Sequence, residues 1–369
     1  MTSSTEHRTA ADTVTADAAT PTPPRASTPP ASAAPSARWK RSLGFKNIGA
    51  VYVWLVIIVV FALWAPDTFP TWQTVQTILN QNAIAGLVAL ALVVPLSARV
   101  FDLSVGNAMG LCNVVIAWLL VNQGVPMVPA ILLTILAGLI IGLVNAIIVI
   151  GGKIDSFIAT LATGSLMAAA TTLVSDDQAI IGDQLSGSFG KIATTDIGGI
   201  ALPVFLMLIV AAGLWYLLNY TITGRRIYAT GFNEEGARLT GIRTARLRFS
   251  ALVVSGTVAG VGAVLLTSQV SSGSPDIGSP YLLDAFAAAF LGATQFGGRF
   301  NAWGTVIAVL LLGTGKTGLV LVGAPVWAPS MFAGVVLLFA LGLTNLEKTA
   351  MARSWIAARR RRTAATPAS

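Results

Sequence analysis

The chain has one cysteine and one histidine in 369 residues, and only 10% of its residues are charged. With Cys112 alone, no intrachain disulfide and no thiolate metal cluster can form. His7 lies in a polar N-terminal stretch, so histidine catalysis and histidine metal ligation within the apolar part are excluded. No credible nucleophile–base pair stands out, and the chain reads as a non-enzyme that needs no metal and no cofactor. A soluble domain carries about 25% charged residues. Here 54% are hydrophobic and the mean hydropathy is +0.76, which predicts an all-α, polytopic membrane protein. A formal net charge of +8 invites a nucleic-acid reading. The charges sit in loops and tails between apolar runs, as topology signals do, and argue against nucleic acid.

Residues 1–38 are rich in Ala, Thr, Pro and Ser and have almost no large apolar side chains, which predicts a disordered tail. They hold no apolar core of a secretory signal. Residues 348–369 form a second polar tail whose Arg359–Arg362 run marks the cytoplasmic side and suits anionic membrane lipid. Between them, 39–347 is the transmembrane domain.

A span needs roughly 20 apolar residues. About ten candidates are visible, near 48–65, 82–98, 105–122, 126–150, 156–174, 200–220, 248–267, 282–295, 302–322 and 326–345. With the N-terminus in the cytoplasm, the inside segments hold Arg38, Lys40, Arg41, Lys46, Arg99, Lys153, six arginines from Arg225 to Arg248, Arg299 and the basic tail. The outside loops hold Lys191 beside Asp67, Asp176, Asp177, Asp183, Asp196 and Asp276. That bias predicts an even count with both termini cytoplasmic. Gly138 with Gly142, and Gly256 with Gly260, are spaced for close helix packing, with Ser255, Ala259 and Ala263 beside the second pair.

Ionisable groups at membrane depth usually face a partner or a pathway. Asp102 precedes the third span, Asp284 lies in the short eighth and Lys316 is well inside the ninth. Asp284 and Lys316 both fall in the outer half, so either they pair between helices or Lys316 faces a translocation route. Ser104, Asn107, Asn145, Thr160 and Thr163 either line such a route or hydrogen-bond between helices. The stretch "GTGKTG" resembles a phosphate-binding loop, but Leu310 stands where that pattern needs glycine.

The charge pattern places the segment 221–247 in the cytoplasm, where a lone connector could be much shorter. Asn233 can cap a short helix, Glu234 and Glu235 would sit in its first turn, and Gly241 can end it. Glu234 and Arg238 are one turn apart and suited to pairing. Such a helix is either a docking surface or an inert connector.

"GRRIYATGFNEEGARLTGI" resembles the cytoplasmic loop of the ribose-type sugar permeases of ABC importers, in the superfamily shared with branched-chain amino-acid permeases. Gly224, Tyr228, Ala229, Gly231, Asn233, Ala237, Gly241 and Ile242 match that loop, while Gly236 replaces an alanine. "FDLSVGNAMGL", "GLVNAIIVIGGKIDSFIATLATGSL" and "YLLDAFAAAFLGATQFGGRFNAWGT" are similar to further segments of the family, in order, over about 48–345. The resemblance implies a permease subunit without an ATPase of its own, in a bacterial plasma membrane. It also implies a second permease copy, an extracytoplasmic solute-binding protein and a separate ATPase contacted by Gly231, Asn233, Glu234, Glu235, Arg238 and Gly241.

The chain departs from the family at Arg99 and Val100, at Leu282, and at Lys316 with Thr317. These changes put a neutral monosaccharide in doubt and favour a solute with an anionic or strongly polar group. A nucleoside, a sugar-derived signal or a branched-chain amino acid is the alternative within the class. A secondary transporter is the alternative outside it, and would want Asp102, Asp284 and Lys316 gathered at the midplane.

Overall fold

The computed structural model describes residues 45–295, 298–340 and 342. Both tails, 1–38 and 348–369, lie outside the described residues. The chain is helical, in order α1 (Phe45–Trp64), α2 (Trp72–Ser97), α3 (Val105–Val121), α4 (Met127–Ala146) and α5 (Ser156–Ser175). The short turns α6 (Asp183–Ser186) and α7 (Lys191–Thr194) and a hairpin of β1 (Asp196–Ile197) and β2 (Ile200–Ala201) follow. Then come α8 (Leu202–Tyr220), α9 (Ile222–Phe232), α10 (Glu234–Leu239), α11 (Thr244–Val270), α12 (Ser279–Ala293), α13 (Ala302–Leu321) and α14 (Ala328–Ala340).

Among the described residues, six helices are long and apolar enough to cross a membrane: α2, α4 with the π-helical turn Ile147–Gly151 that extends it, α5, α8, α11 and α13. The other four expected positions hold the shorter apolar helices Ala50–Trp64 within α1, α3, α12 and α14. Windows of α2, α11 and α13 are 61–67% buried, whereas α4, α5 and α8 reach only 33% and turn broad Leu, Ile and Phe faces outward. Helices apolar all round suit a bilayer, where outward faces need no water-compatible side chains.

The second element starts ten residues earlier than its apolar run indicates, at Trp72 instead of 82. Its first turns carry Gln76, Asn80 and Asn82, which hide the helix from a hydropathy reading. The fold gives two of them work. Gln76 Nε2 donates to the Gly198 carbonyl at 3.1 Å, and Asn80 exchanges two bonds with Gly199 and Ala201. Gly198 and Gly199, both at positive φ, form the tight turn that this hairpin needs.

The two glycine pairs pack on each other. A Cβ on Gly138 would lie 2.5 Å from the Gly256 carbonyl oxygen, and one on Gly142 would lie 2.6 Å from that of Leu252. The backbones of α4 and α11 are therefore in direct contact. In lipid, where apolar burial gains little, such close approach is what holds helices together.

Candidate functional site

The segment 221–247 contains two helices where the sequence suggested one. Thr221 caps α9 by accepting from the Gly224 amide at 3.0 Å. Tyr228 on α9 donates its hydroxyl to the Phe300 carbonyl at 2.7 Å, and the Arg299 guanidinium lies 4.7 Å from its ring centre. Burial pushes the Tyr228 phenol above its ordinary value, against the opposing pull of Arg299. Gly231 rests on the Ser97 carbonyl at the end of α2, where any Cβ would clash.

Asn233 then reverses the chain into α10, its Oδ1 accepting from the Gly236 amide at 3.0 Å. Gly241, at φ +82, ends α10. Its amide donates to the Arg238 carbonyl at 3.0 Å and that of Ile242 to the Ala237 carbonyl at 3.1 Å, closing a Schellman motif. The expected pairing of Glu234 with Arg238 does not form. Arg238 bonds Glu235 at 2.9 Å, because the i,i+3 partner lies nearer on this short helix. Glu234 turns instead to Arg248 on α11, both carboxylate oxygens meeting one guanidinium nitrogen at 2.8 and 3.1 Å. Leu239 and Phe232 are more than 80% exposed, so this end presents apolar as well as charged surface.

A second constellation surrounds Asp102, which is buried in the connector between α2 and α3. Its Oδ1 accepts from the Ser104 amide at 3.1 Å and the Ser104 hydroxyl at 2.6 Å, and its Oδ2 accepts from Ser255 on α11 at 2.6 Å. Asn145 Nδ2 donates to Ser104 Oγ at 2.7 Å. Thr160 accepts from the Leu103 amide at 2.9 Å, and Ser156 from the Phe101 amide at 3.1 Å. Thr163 bonds back to the Thr160 carbonyl within α5. Asn107 sits at the edge, between the Gly164 carbonyl and Ser279.

The third feature is the pair of Lys316 on α13 and Asp284 on α12, at 2.5 Å. Among the described residues no hydrogen bond joins it to the Asp102 network. "GTGKTG" lies inside α13, so its amides belong to the helix and it forms no loop for phosphate.

Arg248 and Ser255 escaped the site reading because their partners are 14 and 153 positions away. The only local trace is their spacing of seven on one helix face. Among the described residues no three His, Cys, Asp or Glu side chains gather to hold a metal. An apolar crevice of about 260 Å³ between α4, α7, α8 and α11, lined by Ile131, Ile192 and Phe205 among others, contains none of the polar groups above.

The family described as branched-chain amino acid transport system / permease component matches residues 74–341. The chain is 33% identical over 300 residues to the ribose import permease protein RbsC of Bacillus subtilis (strain 168), covering 81% of this chain and 92% of the relative. It is 32% identical over 303 residues to RbsC of Escherichia coli (strain K12), covering 80% and 92%. Similarity to the autoinducer 2 import system permease protein LsrD of Escherichia coli O9:H4 (strain HS) is 34% over 258 residues, covering 69% and 78%. A match over most of the chain, together with helices fit to span a membrane, makes this protein a member of the branched-chain amino acid transport system / permease component family, of the ribose type.

Proposed function

We propose that this chain is the membrane-spanning permease subunit of an ABC importer for a sugar or sugar-like solute, driven by a separate ATPase. The observation that carries this reading is α10, capped by Asn233 and closed by Gly241, with Glu235, Arg238 and Leu239 exposed. A six-residue helix that buries only Ala237 and is tied to α11 through Glu234 leaves most of its surface uncovered. Its exposed face gains contacts when another protein covers it. Gly231, Asn233, Glu234 and Gly241 set its position, and Glu235 and Arg238 meet the ATPase.

In this reading 39–347 is the permease domain with ten spans, both termini are cytoplasmic, and 221–247 is the coupling loop. The tails 1–38 and 348–369 stay in the cytoplasm, the basic one against anionic lipid. A second permease copy completes the pathway in the bacterial inner membrane, and an extracytoplasmic binding protein delivers the solute. Asp102, Ser104, Asn107, Asn145 and Thr160 shape the pathway's wall, and the Asp284–Lys316 pair closes it toward the outer half.

The likeness to an autoinducer 2 permease favours a second reading of the substrate, a small sugar-derived signal. Lys316 fits either, and a preference for anionic solutes would require it to leave Asp284. A secondary transporter is disfavoured, since Asp102 bonds hydroxyls and an amide while Asp284 bonds Lys316.

The test is purification of the tagged chain in mild detergent from its native host, with every co-purifying protein identified. It is repeated with Glu235→Arg and Arg238→Glu together, which keeps their pair but inverts the surface. Recovery of an ATPase with the wild type and its loss with the variant is the expected result. Recovery of the chain alone, where other membrane complexes survive, would overturn the proposal.

A further inference from the structure

Two of the polar ties that leave α11 stand at the ends of a single stretch. We propose that they make α11 a strut carrying movement of α10 into the connector between α2 and α3, with Arg248 and Ser255 as its positioning residues. The inference rests on the reading of α10 as an ATPase contact.

Arg248 and Ser255 are seven residues apart, so they stand on one face about two helical turns apart. At one end Arg248 holds Glu234, the first residue of α10. At the other the buried Ser255 hydroxyl holds Asp102 at 2.6 Å. The stretch between them is stiff. Gly256 lies against the α4 backbone at Gly138 and Gly142, so a push on α11 moves the two helices as a body.

The connector is poised to receive such a push. It leaves α2 through Arg99, a non-glycine residue at φ +59, and then rests on three helices by polar bonds. Phe101 and Leu103 give their amides to α5, Ser104 receives Asn145 of α4, and Asp102 reaches α11. Ser97, just before the connector, carries Gly231 of α9. The α9–α10 unit therefore grips this segment twice, directly at Ser97 and through α11 at Asp102. A carboxylate buried among apolar helices is costly and needs its partners. Of the groups bonded to this one, Ser255 alone comes from outside the connector. Apolar packing could have joined α11 to the connector. The directional bond from Ser255 instead fixes one atom of the connector to α11.

The experiment uses the full complex with its co-purifying ATPase in lipid nanodiscs. Arg99→Cys carries an environment-sensitive fluorophore, since Arg99 is exposed and the native Cys112 is buried. ATP hydrolysis and the ATP-driven signal at position 99 are read from the same sample. Ser255→Ala and Arg248→Gln are expected to hydrolyse ATP while the signal falls at least about fivefold, the lower end of coupling between linked sites. Ser255→Thr, which keeps the hydroxyl, restores it, as does the exchange Glu234→Arg with Arg248→Glu. A wild-type signal in Ser255→Ala overturns the strut and leaves the transport reading standing. So does a folded exchange variant that stays silent, which keeps the test decisive if Ser255→Ala does not fold. Failure to recover any ATPase with the wild type overturns both.

Discussion

The Lys316 ammonium lies 2.5 Å from Asp284 Oδ2, joining α13 to α12 across 32 positions of sequence. Each side chain keeps about a quarter of its surface accessible. Breaking a fully buried pair by removing one partner costs about 3–5 kcal/mol. Partial exposure places Lys316→Met and Asp284→Leu at or below the low end of that range. The double variant Lys316→Met with Asp284→Leu should recover most of the loss. Thermal unfolding in detergent as a double-mutant cycle checks this, and additive effects would mean that the two charges do not pair.

The contact of α4 with α11 leaves no room for side chains at its glycines. Gly138→Leu drives carbon into the Gly256 carbonyl and the Gly260 backbone, neither of which can rotate away. Overpacking of this sort costs about 1–3 kcal/mol or more. The variant should show a lower melting temperature, whereas Gly213→Leu, with open space around its α-carbon, should not. Equal melting of the two would refute the close contact.

Asn233 is the only side-chain cap on α10. Asn233→Ala should cost about 0.5–2 kcal/mol of local helix stability, and Asn233→Ser much less. Since α10 has only six residues, that loss should reach ATPase recovery directly. Quantitative co-purification of the three proteins is the check. Equal recovery from Asn233→Ala would separate the helix from docking.

Tyr228 offers a pH test. Burial raises its phenol above the usual value, so the folded protein holds that proton more tightly than the unfolded chain. Its contribution is fully present below the unfolded value of about 10 and is lost as pH rises through the higher folded value. Tyr228→Phe cannot titrate and also loses the bond to the Phe300 carbonyl. Wild-type stability should therefore fall more steeply than the variant's at strongly alkaline pH. Parallel curves would show that the phenol ionises equally in both states.

Much of the architecture was legible because hydropathy acts locally. Each apolar run found in the sequence overlaps a helix among the described residues, and α3 and α13 begin where their runs begin. The start of α2 was misplaced because Gln76 and Asn80 look like loop residues until the hairpin that bonds them is in place. Asn233 and Gly241 were legible as punctuation, since a cap acts on amides two to five positions away. The partner of Glu234 was misread, because the choice between Arg238 and Arg248 depends on where α11 passes.

From the sequence alone came the membrane class, the glycine spacing, the capped helix in the charged segment and the family resemblance. Each rests on composition or on short-range geometry. Only the tertiary structure decided that Gly138 meets Gly256, that Lys316 takes Asp284, and that Ser255 is the distant hand on Asp102. Those partners are between 32 and 153 positions apart. Which of many equally polar or equally small residues meet is set by how whole helices pack, and no local pattern carries that.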